Sequence, residues 1–394
     1  MGMTFSLTNN SFSKFVLTKI VFNDKNNRFA NYQKSDFMKI PGLIDAHVHL
    51  RTPGGEQKED FRTGTAAALA GGFTTLLAMP NTLPPLVTCQ DWRIAQIRAQ
   101  SEGQCDVFLY AGASADHIDE LPDLARSAVA LKIYLNDTYG PLRVEGVGRL
   151  SEIVQSWPAS KPIAVHAEGD SVGVVIAMAA LYQRRFHICH VSRKDEIELI
   201  ADAKKRGLPV TCEVTPHHLF LTEDDADRLG PLGDMRPRLA TQADVDALWA
   251  QINTTVDCIA SDHAPHTLEE KGIVPRNSVD GAAVNQEKTP PPGVPGLEST
   301  LPLMLTAVAE GRITLERVVA LLYTNPRLIF NLPEQPETWV EVDEHATYTF
   351  PDHPLFTKCG WSPFEGMQMK GRIRKVVYRG KEVFRDGRLF LNKN

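Results

Sequence analysis

Two histidines and an arginine follow one another at the end of an apolar run near residue 45. The run Leu43-Ile44-Asp45-Ala46-His47-Val48-His49-Leu50-Arg51 is broken by Pro53-Gly54-Gly55. In an extended strand alternate side chains share a face, so His47 and His49 would point together at the strand's carboxyl end and could hold one metal ion. The alternative is a buried strand with two hydrogen-bonded histidines, and the rest of the chain must decide between the two interpretations.

Other apolar runs also end in polar side chains, many of them of metal-binding types. Most of the 12 histidines lie at such positions, and the whole set comprises His47, His49, Arg51, Asn81, Lys132, His166, His190, Glu213, His217, His218, Asp262, His263 and His266. Imidazole and carboxylate groups suit Zn²⁺. Four histidines and one aspartate exceed the three protein ligands usual for one catalytic zinc, so the sequence predicts two zinc ions that share a bridging anion.

Lys132 is the candidate for that bridge, although a lysine amine is normally protonated and therefore a poor ligand. In an apolar strand that faces two cations the ammonium form would be disfavoured. The neutral amine could then react with CO₂ to give a carbamate, which has one oxygen for each metal. The alternative is an ordinary lysine whose ammonium group pairs with an acid or reaches solvent.

The elements that must position these side chains alternate between short apolar runs and helix-like segments, which is typical of parallel βα units. Eight apolar runs occur, at residues 43–50, 74–80, 105–113, 128–135, 162–168, 185–192, 210–216 and 256–265. Eight such units predict an α/β fold, the (β/α)₈ TIM barrel, in which active-site groups come from the carboxyl ends of several strands. A doubly wound open sheet is the alternative.

The segments outside the eight units predict a small satellite β sheet. Residues 14–22 are rich in strand-forming residues, and residues 371–390 contain turn signals at Arg379-Gly380 and Asp386-Gly387. We therefore expect an N-terminal extension with a satellite strand at 1–39, a metal-dependent barrel at 40–335 and a C-terminal segment with satellite strands at 336–394. Residues 267–296 predict a long loop over the barrel mouth.

The composition argues against several classes of function. A net charge of −6 is unlike that of a general nucleic-acid binder. No apolar run reaches membrane-spanning length. The 6 cysteines have no paired spacing, which suits reduced thiols in a cytoplasmic protein.

With these motifs in place, the chain resembles the amidohydrolase superfamily and, within it, the dihydroorotases. It is most similar to the dihydroorotase domain of the animal multifunctional polypeptide that also carries carbamoyl-phosphate synthetase and aspartate transcarbamoylase. The resemblance covers about residues 40–390. Its motifs are the opening run at 41–51, Ala78-Met79-Pro80-Asn81-Thr82, Leu131-Lys132-Ile133-Tyr134, Val165-His166-Ala167-Glu168, Ile188-Cys189-His190-Val191, Pro216-His217-His218-Leu219 and Ala260-Ser261-Asp262-His263-Ala264-Pro265-His266.

The resemblance implies a ligand set and a reaction. His47, His49 and Asp262 would hold one zinc, His166 and His190 the other, and carboxylated Lys132 would bridge them. Bound zinc lowers the pKa of water to ~7 and supplies a nucleophile at neutral pH. Asp262 would also shuttle a proton between the attacking water and the departing ring nitrogen.

The resemblance and the residue types together predict how a small dicarboxylate would bind. The planar fork of Arg51 can hold a carboxylate with two hydrogen bonds, and Asn81 can add an amide donor. The resemblance implies further substrate contacts from Arg236, His266, Pro292 and Gly293, and a mobile loop that contributes Thr138 and Tyr139 and closes over the substrate. Arg238 lies close to Arg236 in the sequence, so that alignment has an alternative.

Two features stay open. Cys189 and Glu213 could hold an extra zinc with His47, but Cys189 is adjacent to His190, and regular strand geometry would point it away from the site. The chain is also longer between Lys271 and Pro290 than the family pattern, with an insertion at 272–289.

The sequence therefore predicts a zinc-dependent dihydroorotase that interconverts N-carbamoyl-L-aspartate and L-dihydroorotate in pyrimidine biosynthesis. A dihydropyrimidinase or hydantoinase is the alternative enzyme, and a barrel that lacks activity and serves as a scaffold is the alternative from another class. The resemblance also suggests a homodimer and membership of a multifunctional polypeptide.

Overall fold

The parallel strands expected from the sequence are present and run around a common barrel. The structure is a computed structural model that describes residues 37–138, 140–273 and 289–390. A short strand, β1 (Met38–Pro41), precedes the barrel. The barrel strands are β2 (Leu43–Val48), β3 (Phe73–Ala78), β4 (Asp106–Leu109), β5 (Ala111–Gly112), β6 (Leu131–Tyr134), β7 (Ile163–His166), β8 (Phe186–Ile188), β9 (Val210–Val214) and β10 (Cys258–Ile259).

Hydrogen bonds close these strands into a barrel. The order β2-β3-β4 continues into β5-β6-β7-β8-β9-β10, because β4 and β5 are two parts of one chain segment separated by Tyr110. Past β10, Val48 and His263 form a parallel bridge, and the His49 amide donates to the His263 carbonyl at 2.7 Å. The (β/α)₈ prediction is confirmed, and the open-sheet alternative is wrong because the last strand returns to the first.

Helices follow the strands and cover the outside of the barrel. The helices are α1 (Phe61–Ala70), α2 (Cys89–Glu102), α3 (Leu121–Leu124), α4 (Val147–Ser156), α5 (Asp170–Tyr182), α6 (Lys194–Lys205), α7 (Pro216–Phe220), α8 (Glu223–Leu229), α9 (Gln242–Gln251), α10 (Leu297–Ala309), α11 (Leu315–Val319) and α12 (Asn325–Ile329). Helix α1 begins after Asp60, whose side chain accepts from the Thr63 amide while the Thr63 hydroxyl faces back to the Asp60 amide, a capping box. Within the described residues no helix is long and apolar enough to cross a membrane.

A five-stranded antiparallel sheet lies beside the barrel. Its order is β1, β11 (Trp339–Thr349), β12 (Gln368–Tyr378), β13 (Lys381–Arg385) and β14 (Arg388–Leu389). Both predicted hairpin turns are present, and their residues have the positive φ angles of tight two-residue turns: 50° and 77° at Arg379-Gly380, and 45° and 75° at Asp386-Gly387. The predicted strand at 14–22 lies outside the described residues.

Two apolar layers hold the barrel. The outward-facing residues of the strands pack under the helices, whereas a smaller cluster that includes Ile44, Ala46, Leu77, Tyr110 and Ala164 fills the interior. The interior cluster leaves the carboxyl ends of the strands to polar side chains, so the functional groups rest on a packed apolar floor.

Gly371 offers a test of how closely the satellite sheet packs on α10. Its φ is 84°, and a Cβ at this position would lie 2.8 Å from the Leu305 Cβ. We expect Gly371→Ala to lower the free energy of unfolding by about 1–2 kcal/mol for the left-handed backbone and by about 1–3 kcal/mol more for the clash. Urea denaturation of the variant measures the sum of the two costs.

The matched control is Gly207→Ala, because Gly207 has a φ of 76° but no atom within 4 Å of an added Cβ. It should show only the backbone cost. Equal losses in the two variants would contradict close packing at Gly371.

Candidate metal centre and active-site cleft

An open cleft lies at the carboxyl ends of the barrel strands. Its lining contains His47, His49, Arg51, Asn81, Tyr134, Thr138, His166, His190, His217, Met235, Arg236, Asp262, Ala264, Pro292, Gly293 and Val294. Most of the residues proposed from the sequence for metal or substrate contacts therefore share one cavity. Lys132, Cys189, Glu213 and His266 lie just behind this lining and are buried.

His47, His49 and Asp262 form the first candidate metal group. The Asp262 Oδ1 lies 3.3 Å from His47 Nε2 and 3.2 Å from His49 Nε2. The opposite ring nitrogens are held by acceptors, His47 Nδ1 by Glu213 at 2.6 Å and His49 Nδ1 by Asn81 at 2.8 Å. Because each Nδ1 then carries the proton, two Nε2 lone pairs and a carboxylate oxygen converge, a donor set that fits a cation.

Electrostatics agree with this arrangement. Burial lowers the pKa of His49 to about 4 even though Asp262 raises it, so the imidazole is neutral and able to bind a metal. Burial alone would raise the pKa of Asp262, but the positive charge that His47 or His49 carries when protonated holds it well below its usual range. The carboxylate therefore stays ionised beside the two rings.

His166 and His190 form a second pair next to the first. His166 Nε2 donates to Glu168 at 2.9 Å, which leaves a lone pair on Nδ1, and this atom lies 2.8 Å from His190 Nε2. Burial lowers the pKa of both rings below the usual value. The His190 ring centroid is 5.2 Å from that of His47, so the two groups adjoin.

Lys132 lies fully buried in the barrel beneath these histidines. Its Nζ donates to Cys189 Sγ at 2.9 Å and lies 5.2 Å from the Tyr134 ring centroid. Burial raises the pKa of the Cys189 thiol. Neither of these two contacts gives the Lys132 ammonium group a carboxylate partner.

The expectation that Cys189 points away from the site is wrong. Cys189 lies directly after β8, on the same face as His187, and it packs in the barrel interior with Ala46 and Leu77. His190 is the residue that departs from strand alternation, because β8 ends at Ile188 and His190 has a φ of 37°. Both neighbours therefore face the interior, and Cys189 groups with His47 and Glu213 as a further potential metal set.

Glu213 connects the metal site to the barrel floor. One carboxylate oxygen accepts from His47 Nδ1, and the other accepts from His187 Nε2 at 3.0 Å. His187 Nδ1 in turn contacts the Thr211 hydroxyl at 2.9 Å. Burial would raise the pKa of Glu213, but the two histidines hold it well below its usual range. Sequence reasoning missed His187, whose only signal was its position two residues before Cys189 on the same strand face.

The opposite end of the cleft is positively charged. Arg51 has a φ of 58°, donates from Nε to the Pro265 carbonyl at 3.1 Å, and lies 3.1 Å from His266 Nε2. Arg236 lines the cleft and pairs with Asp234, whereas Arg238 is exposed and outside the lining. Gly293 approaches closely, since a Cβ there would lie 2.5 Å from the Ala264 carbonyl oxygen.

Two polar lining residues, Tyr134 and His217, had no role assigned from the sequence. The Tyr134 hydroxyl and His217 Nε2 are buried, and neither has a hydrogen-bond partner within the described residues. Tyr134 lies two residues after Lys132 on the same strand face, which is a signal the sequence contained. Thr138 also lines the cleft, while Tyr139 lies outside the described residues.

Comparison with known proteins gives a consistent picture. The profile of the dihydro-orotase-like family matches residues 38–173. The multifunctional protein CAD of Squalus acanthias is 49% identical over 90% of this chain, which spans 15% of that protein's length. The dihydroorotase of Pyrococcus furiosus is 35% identical, over 88% of this chain and 81% of that enzyme.

Solved structures share the fold. The L-hydantoinase of Arthrobacter aurescens has a TM-score of 0.83 at 25% identity, over 90% of this chain and 87% of that one. The inactive dihydroorotase-like domain of a CAD-like multifunctional protein from Chaetomium thermophilum has a TM-score of 0.73 at 27% identity, over 90% and 96% of the two chains.

The position of Glu213 predicts the effect of removing its charge. Glu213→Gln should weaken zinc binding by about 10- to 100-fold, because an amide holds His47 in its ligand orientation less firmly than a carboxylate does. Competition with a chromogenic chelator measures this affinity.

Glu196→Gln is the control, since Glu196 is also buried but accepts from the backbone amides of Gly169 and Ser192 and not from any of the histidines. Equal zinc affinity in wild type and Glu213→Gln would show that Glu213 does not support the metal site.

Proposed function

Because this chain belongs to the dihydroorotase family, we propose that it catalyses the reversible cyclisation of N-carbamoyl-L-aspartate to L-dihydroorotate. The observation that carries the proposal is the joint placement, in one cleft, of the His47, His49 and Asp262 group and the guanidinium of Arg51. A cyclic amide hydrolase needs the first set, and a ring with a carboxylate needs the second.

We propose that two zinc ions bind here. His47, His49 and Asp262 would hold one, His166 and His190 the other, and a carbamate on Lys132 would bridge them. Bound zinc would acidify a water molecule and polarise the amide carbonyl. The fit rests on the convergent Nε2 lone pairs of His47 and His49 and on the buried position of Lys132.

Asp262 is the proposed proton carrier. Its carboxylate stays ionised and faces the cleft, so it can take a proton as the ring amide is attacked and return it to the departing nitrogen. Thr138 and Tyr139 would contact the substrate from the loop after β6, and closure of that loop would exclude water.

The substrate carboxylate would bind at the positive end of the cleft. Arg51 supplies a planar pair of donors, and Asn81, Arg236 and His266 would add polar contacts. The backbone groups of Pro292 and Gly293 would approach the ring, which accords with the absence of a side chain at Gly293 where it meets Ala264.

We also propose that a third zinc ion can bind to a group of residues deeper in the barrel. Cys189, Glu213 and His47 offer one sulfur, one carboxylate and one imidazole within 4.8 Å of one another. Thiolate, carboxylate and imidazole are all zinc ligands. Glu213 accepts hydrogen bonds from His47 and His187, and an ion at this group would take the place of the Nδ1 proton of His47, which would be released to solvent.

Two alternative functions are represented among the solved structures of similar fold. A hydantoinase-type activity shares the barrel, but Arg51 and the charged cluster around it favour a ring with a carboxylate. The other alternative is a barrel that lacks activity, and the Chaetomium thermophilum domain is an example of one. The present chain retains all the side chains proposed as ligands, His47, His49, Lys132, His166, His190 and Asp262, which favours an enzyme.

The relatives also bear on how the chain is assembled. Since it spans only 15% of the length of the CAD relative, we propose that it works in the cytoplasm as the dihydroorotase part of a multifunctional polypeptide. Homodimerisation is a further proposal. Light scattering of the purified segment tests it directly.

The bridging role of Lys132 predicts the effect of its removal. In Lys132→Ala, zinc bound per chain should fall below two ions, and dihydroorotate turnover should fall more than about 100-fold, beyond the range seen for residues that only support a ligand. Elemental analysis and ring absorbance measure the two quantities. A short carboxylic acid such as acetate should restore part of both, because it can replace the carbamate.

Chelation of the wild-type metal should abolish turnover, and zinc should restore it. Full activity of the chelated enzyme, or of Lys132→Ala without added acid, would contradict the metal proposal. In Cys189→Ser, loss of one ion with two retained would identify the third site.

The position of Arg51 in the cleft predicts that the enzyme prefers substrates with a carboxylate. Arg51→Ala should lower kcat/KM for dihydroorotate by about 10- to 150-fold, the equivalent of one charged hydrogen-bonded contact. Turnover of dihydrouracil, which lacks the carboxylate, should not fall. Arg238→Ala is the control because Arg238 is exposed and outside the cleft lining. A loss confined to dihydrouracil would instead identify a dihydropyrimidinase.

A further inference from the structure

The ring of His187 lies between two side chains of the neighbouring barrel strand and does not line the cleft. His187 on β8 is in register with Thr211 on β9, and Glu213 follows Thr211 by two residues on the same face of β9. His187 Nδ1 lies 2.9 Å from the Thr211 hydroxyl, and His187 Nε2 lies 3.0 Å from Glu213 Oε2. The adjacent strand therefore supplies a partner for each ring nitrogen.

Packing keeps this ring in place. His187 is fully buried, and the Phe330 ring packs against it edge to face, with the two centroids 5.3 Å apart. Phe330 is itself held edge to face by Tyr110 at 6.0 Å. Because aromatic packing fixes the plane of the imidazole, its two nitrogens stay directed at Thr211 and Glu213.

The contact with Glu213 requires a proton on His187 Nε2. Burial would raise the pKa of Glu213, but the charge and hydrogen bonds of His47 and His187 hold it well below its usual range. An ionised carboxylate can only accept, so Nε2 must donate. The Thr211 hydroxyl can donate to Nδ1, or it can accept from Nδ1 and donate to the Phe186 carbonyl at 3.3 Å. The Nε2–H group is therefore present whether or not the ring carries a second proton.

The hydrogen bond from His187 occupies one oxygen of Glu213 and leaves the other for His47. Glu213 Oε1 lies 2.6 Å from His47 Nδ1, so the carboxylate connects the two rings. A buried carboxylate oxygen without a partner is costly, and without His187 the group could turn toward another donor. The Cys189 thiol, within 4.8 Å of a Glu213 oxygen, is such a donor. Holding Oε2 therefore also fixes the direction of Oε1.

We propose that His187 is a positioning residue for the candidate metal centre. Its Nε2–H group holds Glu213 so that Oε1 faces His47 Nδ1, and the lone pair of His47 Nε2 then faces the cleft. The restraint on Glu213 is the same when His47 Nδ1 carries a proton and when a third zinc takes the place of that proton. The importance of this restraint for turnover rests on the proposed dihydroorotase function, whereas its effect on zinc binding does not.

The test compares His187→Leu, which removes the donor, with His187→Gln, whose side-chain amide can still donate to Glu213. We expect zinc affinity, measured by competition with a chromogenic chelator, to fall about tenfold in His187→Leu, as for residues that support a metal ligand. His187→Gln should recover most of the loss, whereas leucine would serve as well as glutamine if His187 only filled space. His345→Leu is the control, because the His345 side chain on β11 is 84% exposed.

The ¹⁵N shifts of the two imidazoles in the metal-free protein provide a second readout, with the resonances assigned by their loss in His47→Gln and His187→Gln. Wild type should show His187 protonated on Nε2 and His47 protonated on Nδ1. In His187→Leu the His47 proton should be shared between both nitrogens.

A His187 ring without a proton on Nε2 in the wild type would overturn the proposal even where His187→Leu fails to fold. Equal zinc affinity in wild type and folded His187→Leu would also overturn it, and so would equal losses in folded His187→Leu and His187→Gln. Zinc affinity that depends on the His187 donor, in a wild type that does not turn over dihydroorotate, would support the positioning role and refute the proposed function.

Discussion

The imidazole of His47 lies between two buried carboxylates, and the site depends on this arrangement. Glu213 accepts from Nδ1 at 2.6 Å, and Asp262 faces Nε2 at 3.3 Å. A carboxylate without partners in a barrel interior would be costly, so each must be paired. Pairing Glu213 with His47 and His187 settles which nitrogen of His47 carries the proton, and that in turn directs the opposite lone pair toward Asp262.

The backbone makes room for this polar layer by leaving regular strand geometry at its edge. Arg51, His190 and Asp262 all have positive φ angles, 58°, 37° and 44°, at the ends of three different strands. Such conformations are uncommon for residues with a side chain and occur where the surrounding structure imposes them. At Asp262 the adjoining Ser261 amide donates to the buried Asp45 carboxylate, which also accepts from the His47 amide. Asp45 therefore joins the first and last strands directly beneath the candidate ligands.

The fold alone does not determine activity. The same barrel occurs in an L-hydantoinase and in a domain described as inactive, so function must be argued from the side chains at the strand ends. In this chain the metal-type ligands occupy one side of the cleft, and the guanidinium groups of Arg51 and Arg236 line another part of it.

The sequence by itself determined the eight strands, the two hairpin turns of the satellite sheet and the residue types at the cleft, because each of these depends on neighbours within a few positions. The runs of apolar residues and the Arg379-Gly380 and Asp386-Gly387 pairs carry that information locally. The sequence did not determine the directions in which these side chains point. Only the tertiary structure decided that Cys189 and His190 both face inward, since the left-handed backbone at His190 is imposed by the surrounding barrel. The Glu213 contact with His47 spans 166 residues and the Lys58 contact with His266 spans 208, and no local pattern records a pairing that only closure of the barrel creates.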